Sequence, residues 1–252
     1  MRALILPGAD LGPPFYAPLE AALERRGLPA STALIPESAS WDARVEVVRA
    51  GAASAAGAAG AAGAPGGVIL VGHSLGGLLG LLAAARSPQV RGLALLEPAI
   101  VPSARFAGAA ARRYVRDVVL GDRTRFSNWS GTYRRVHDLE SFPSWAVAHY
   151  LEQRRRGDVE AARALILAMP SLYPLPFERI AVPVLILRGA SSGFLARVGF
   201  SSLAKKLPQA EVKIIPGAAH WMANEQDEAI AAAIAAWWAR ALQNVSSMPN
   251  RW

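Results

Sequence analysis

The chain contains no cysteine, which excludes disulfides, thiolate metal sites and a cysteine nucleophile and leaves nothing that calls for an oxidising compartment. Charge is sparse as well. Only 18 % of the 252 residues are charged against 52 % hydrophobic, a balance that supplies a large core and argues against disorder. No apolar run approaches the roughly 20 residues of a membrane-spanning helix; even 229–242 is shorter and carries Arg240. The opening run Met1–Leu6 meets Pro7-Gly8 at once, too early for a secretory signal, so a cytoplasmic protein is expected. Lysine is almost missing: Lys205, Lys206 and Lys213 stand beside 24 arginines, and the formal net charge is +8. These arginines are dispersed, with no basic helix and no aromatic-rich RNA-binding signature, so no nucleic-acid partner is expected.

What the chain does have is alternation. Short β-rich runs at Arg2–Leu6, Thr32–Ile35, Val68–Val71, Arg91–Leu96, Val182–Leu187 and Glu211–Ile215 are separated by helical stretches. That order is expected of a single α/β domain with a mostly parallel sheet covered by helices on both faces. Pro18–Arg26 reads as a helix ended by Gly27. Residues 50–67 hold ten alanines and six glycines. A crossover helix must occupy this stretch, starting near an N-capping Ser40; each glycine weakens it by about 1 kcal/mol, so 57–67 should fray.

Between residues 103 and 179 the alternation stops. This stretch carries 13 of the arginines, 8 acidic residues and 10 of the 19 aromatics, so it reads as a helical cap inserted between core segments 1–102 and 180–252. His137 and His149 fall there as polar cap residues.

Val68-Ile69-Leu70-Val71-Gly72-His73-Ser74-Leu75-Gly76-Gly77 is the run that carries chemistry: a strand, then Gly-x-Ser-x-Gly, then an apolar helix over 78–86. A serine at such a turn presents its hydroxyl at the carboxyl edge of the sheet, above a helix N-terminus. Gly72 and Gly76 keep crowded positions free of side chains. A serine hydroxyl needs a general base, and His220, in the loop between the last strand and the C-terminal helix, reaches the same edge.

At these residues the chain resembles the α/β-hydrolase superfamily. Gly-His-Ser-Leu-Gly-Gly is similar to the nucleophile elbow of its esterases, lipases and thioesterases, and Pro-Gly-Ala-Ala-His-Trp to its histidine loop. The resemblance implies the α/β-hydrolase fold, with His73 turned away from the chemistry; serine at the elbow speaks against dehalogenase chemistry, which uses aspartate there. The pattern breaks at the acid. The loop after Val182–Leu187, where most of the superfamily carries it, has Gly193 at the aligned position and no carboxylate between Arg188 and Gln209. Glu97 is the replacement expected from geometry: about 18 Å of helix leads away from Ser74 and about 20 Å of strand returns, one strand over. Some branches of the superfamily, including thioesterase domains of modular synthases, take their acid from this strand. Glu178 and Asp10 are more remote candidates.

An oxyanion needs preorganised N–H donors. The resemblance assigns them to Leu75 and to the loop Pro7-Gly8-Ala9-Asp10, at Ala9 or, in another register, Asp10. Asp10 itself is expected to be a solvent-facing turn residue. The function expected is cofactor-independent and metal-free hydrolysis of a small-molecule carboxylic ester or thioester through an acyl-enzyme on Ser74. The aromatic cap suggests an apolar acyl part, and its arginines a polar or anionic second part, such as a thioester on an acidic acyl-carrier protein. A lyase, a C–C hydrolase or a cyclase on the same fold, and a non-catalytic binding protein, stay open beside it.

Overall fold

The computed structural model describes residues 1–36, 40–61, 66–120 and 144–246. Six strands, β1 (Arg2–Leu6), β2 (Ala30–Thr32), β3 (Val68–His73), β4 (Val90–Leu96), β5 (Val184–Gly189) and β6 (Glu211–Ile215), form one sheet in the order β2-β1-β3-β4-β5-β6. Every pairing is parallel.

Side chains alternate across the central strands. Ala3, Ile5, Ile69, Val71, Ala94, Leu96, Leu185 and Leu187 face one core, shared with α1 (Pro13–Glu24) and the C-terminal helix. Leu4, Leu6, Leu70, Leu93, Leu95 and Ile186 face a second core with α2 (Trp41–Ala61) and α3 (Leu75–Ala84). Both faces are covered, which is why these strands read as continuous apolar runs rather than as alternating ones.

Several expected boundaries shift, among them the end of β3, which runs to His73 rather than Val71, and the start of β4, at Val90 rather than Arg91. The second strand lies at Ala30–Thr32 rather than 32–35, because Ala30, Ser31 and Thr32 register against Ala3, Leu4 and Ile5. β5 begins at Val184, after Pro183, which has no N–H to give the ladder, and it extends to Gly189 opposite Ile215. α1 starts five residues early, at Pro13, where a first-turn proline sacrifices no hydrogen bond. It closes as expected at Gly27, whose φ of 74° lets Leu28 N–H reach the Leu23 carbonyl at 3.1 Å. α3 starts at Leu75, directly after the serine. In α2, Ser40 Oγ accepts from Ala43 N–H and the helix holds through Ala61; 62–65 lie outside the described residues.

Between β4 and β5 the described residues are helical: α4 (Ala104–Tyr114), a π-helical turn over Val115–Val119, α5 (Ser144–Arg156), α6 (Val159–Leu167) and two short 3₁₀ turns. After β5 come α7 (Phe194–Lys206), then, beyond β6, α8 (Met222–Glu225) and the C-terminal helix α9 (Asp227–Ser246). Among the described residues no helix is long and apolar enough to cross a membrane.

The chain leaves β1 toward β2 on one side, then crosses back to β3 on the other. This reversal opens a crevice at the carboxyl ends of β1 and β3, the place where open α/β sheets bind ligands. Gly76 lets α3 approach that crevice. A methyl there would overlap the Leu6 carbonyl and come within 2.6 Å of the Pro7 carbonyl oxygen, and one at Gly72 would lie 2.5 Å from the Gly76 carbonyl oxygen. Gly76→Ala should therefore lower unfolding stability in urea by about 3 kcal/mol or more. Gly57→Ala, whose new methyl meets nothing within 4 Å, should raise it by about 0.5–1 kcal/mol through helix propensity alone.

Candidate active site

Ser74 sits between β3 and α3 with φ 53° and ψ −117°, a conformation uncommon for a residue with a side chain. Its backbone is held from both sides: Ser74 N–H donates to the Leu96 carbonyl at 3.0 Å, while its carbonyl accepts from Ala99 N–H at 2.8 Å and Gly77 N–H at 3.0 Å. The turn thereby aims the hydroxyl at His220, whose Nε2 lies 3.1 Å from Ser74 Oγ.

Glu97 leaves the end of β4 and also has positive φ, 44°. Its N–H donates to the Leu187 carbonyl at 3.0 Å. The carboxylate is buried, with one oxygen accepting from Gly189 N–H at 2.8 Å and from the Ser192 hydroxyl. The other oxygen lies 3.7 Å from His220 Nδ1, within ion-pair reach and longer than a hydrogen bond. The structure thus brings Ser74, His220 and Glu97 together from three separate strand ends.

Ser192 was not singled out from sequence. It lies in the β5–α7 loop, one residue before Gly193, and its hydroxyl donates to the Glu97 carboxylate from the neighbouring strand. Tyr16 was missed too, because it lies ahead of Pro18, where the sequence pattern begins the helix. Its hydroxyl accepts from Gly8 N–H at 2.8 Å and lies 2.7 Å from His73 Nδ1.

Ala9 and Leu75 line one cavity of about 220 Å³ together with Ile35, Trp41, Leu165 and Ile166; Ser74 and His220 are not among its walls. Gly8 packs against Ser74, since a methyl there would lie 3.3 Å from Ser74 Cβ. Asp10 corrects the expectation of a solvent-facing turn. At φ 58° its carboxylate is largely covered, 3.9 Å from the buried guanidinium of Arg154 on α5, which also donates to the Val118 carbonyl. Glu178 lies in the 3₁₀ turn Phe177–Arg179, and His137 lies outside the described residues. His149 is on α5, with its imidazole pKa lowered by burial. Among the described residues no group of three or more His, Asp or Glu side chains is disposed to hold a metal ion.

Residues 3–233 match the family model described as the alpha/beta hydrolase family. The chain belongs to that family. Solved α/β hydrolase-like structures align over almost its whole length. A thermophilic esterase from Thermogutta terrifontis is 18 % identical, with 96 % of this chain and 90 % of that one covered at a TM-score of 0.66. MenH from S. aureus is also 18 % identical, covering 96 % and 94 % at 0.68. E-2-(Acetamidomethylene)succinate hydrolase is 20 % identical, covering 95 % and 91 % at 0.63. Identities this low speak to the shared hydrolase fold.

His73, next to Ser74, is fully buried, and its Nε2 lies 2.7 Å from the His220 carbonyl. Burial, reinforced by the nearby His220, pushes its imidazole down from 6.5 to about 3. The unfolded chain therefore takes up a proton near pH 6.5 that the folded chain refuses until near pH 3. Stability from this group is complete above pH 6.5 and is lost as the pH falls through that window, by at most about 1.4 kcal/mol per pH unit. Urea midpoints at pH 7, 6 and 5 should fall for the parent more steeply than for His73→Gln.

Proposed function

We propose that this protein is a serine hydrolase that cleaves a carboxylic ester or thioester through an acyl-enzyme on Ser74. The observation that carries the reading is the 3.1 Å approach of Ser74 Oγ to His220 Nε2, at the sheet edge where the strand order reverses.

Ser74 Oγ attacks the substrate carbonyl carbon while its proton passes to His220 Nε2. Glu97, beside Nδ1, orients the imidazole and offsets the positive charge it acquires. The carbonyl oxygen becomes an oxyanion met by the N–H groups of Ala9 and Leu75, the latter at the first residue of α3, where helix N–H groups have no intrahelical acceptor. Collapse breaks the bond to the leaving alcohol or thiol, which takes the proton from His220. Water then adds to the acyl-enzyme, again giving its proton to His220, and the acid leaves as Ser74 recovers its hydrogen.

The cavity beside Ala9 and Leu75 favours a short acyl group: at about 220 Å³ it is below the usual range for drug-sized ligands, and Asp10, Arg44 and Asp158 stand among its walls. Residues 103–120 and 144–179 are read as a cap over the core, with Trp41 of the core bonded to the Leu165 carbonyl at 2.9 Å. The cap's arginines give weak support to an acidic carrier protein. Arg113 and Arg116 pair with Asp117, Arg155 and Arg156 with Glu152, Arg163 with Glu160, and Arg154 with Asp10. A small-molecule ester is therefore the better-supported substrate.

A fluorophosphonate probe should label the parent and fail to label Ser74→Ala; equal labelling of the two overturns the nucleophile. Glu97→Gln should cut kcat on p-nitrophenyl butyrate by about 10²- to 10⁴-fold, and an unchanged rate removes Glu97 from the site. Turnover should favour butyrate over laurate esters. Cleavage of a β-diketone with no ester turnover would transfer the site to C–C hydrolysis.

A further inference from the structure

The hydrogen bonds around Tyr16 and His73 have only one self-consistent direction. The His220 carbonyl can only accept, so His73 Nε2 carries a proton. Burial keeps the ring neutral, which leaves Nδ1 bare to accept from the Tyr16 hydroxyl. That hydroxyl has one proton, now committed, and its oxygen accepts from Gly8 N–H. Three bonds of 2.8, 2.7 and 2.7 Å thus run as one directed chain from the loop after β1, through two fully buried side chains, to the backbone of the residue that faces Ser74.

Both ends of that chain are places where small displacements matter. Gly8 immediately precedes Ala9, and the other end is His220 itself. The side chains between them cannot drift. Tyr16 packs edge-on against Phe15 at 5.2 Å and His73 at 5.9 Å, Phe15 meets Trp221 at 5.4 Å, and Tyr150 closes on Trp221 from α5 at 4.8 Å. A buried hydroxyl or imidazole could be satisfied locally. Here the two join segments 57 and 147 residues apart in the chain.

We propose that Tyr16 and His73 are positioning residues that lock the oxyanion loop and the His220 loop into one register, so that the N–H of Ala9 and the imidazole of His220 address the same tetrahedral centre. The proposal rests on the roles assigned above to Ser74, His220 and Ala9. Neither Tyr16 nor His73 touches the substrate; each acts through the backbone it holds.

The test uses Tyr16→Phe, His73→Gln and the double variant in the full chain, with p-nitrophenyl butyrate as substrate and phenylboronic acid as a tetrahedral-adduct inhibitor. Each single variant should lower kcat about tenfold and weaken phenylboronic acid by a similar factor, the scale expected when a buried partner is lost. KM should move less than about twofold, because the register matters to the tetrahedral species rather than to ground-state binding. The double variant should be at most about twofold worse than the poorer single one, since a chain already cut has no second link to lose. Effects that multiply, a KM that rises at constant kcat, or single variants that match the parent would each overturn the proposal. If His73→Gln fails to fold, His73→Asn replaces it with the same expectation; its amide oxygen can still accept from Tyr16, but the His220 carbonyl loses its donor. Ser74→Ala separates the two layers. Inactive Ser74→Ala with parental Tyr16→Phe removes only this inference, whereas active Ser74→Ala removes the reading beneath it.

Discussion

The amide and carbonyl of Ser74 are both committed to the end of β4, through Leu96 and Ala99, and the rest of the site depends on that clamp. Left-handed backbone at a residue with a side chain costs of order 1–3 kcal/mol, so it persists only where the surroundings over-determine it. Gly72 and Gly76 remove the methyls that would push α3 away, and the reversal of strand order between β1 and β3 leaves the hydroxyl an open crevice. Among the described residues the three non-glycine positions with positive φ are Asp10, Ser74 and Glu97, which follow β1, β3 and β4 at the carboxyl edge of the sheet. Strain is concentrated where the geometry is needed.

The β4 segment that clamps Ser74 also leads directly into Glu97. The carboxylate arrives from one strand over and is received by the Gly189 amide and the Ser192 hydroxyl of the very loop that lacks an acid. The carboxylate stays buried and bonded, with its second oxygen turned toward His220. A charge in that position is sustained by hydrogen bonds rather than by solvent.

Legibility followed range. The sheet could be read because strands buried on both faces must be apolar along their length, and the elbow because strand, serine turn and helix are contiguous. Where neighbours decided, the reading slipped. The β2 boundary depended on register against β1, and the start of β5 on Pro183. Asp10 was expected to face solvent because its partner, Arg154, lies on α5 in a different part of the chain. The arginine surplus of 103–179 reads as an exposed field in composition, yet among the described residues six of its members pair with nearby carboxylates, five of them on its own helices.

By itself the sequence determined the class of the fold, the serine and its turn, and the histidine in the last loop, since each rests on local pattern: periodicity, glycine spacing, and the place of a residue between two elements. Only the tertiary structure decided that Glu97 lies within reach of His220, that Ser192 holds it, and that Tyr16 and His73 join the two loops. Those are contacts between side chains far apart in the chain. No local periodicity encodes them, because a hydrogen bond depends on distance and direction in space, and these are defined only once the sheet has brought its carboxyl ends together.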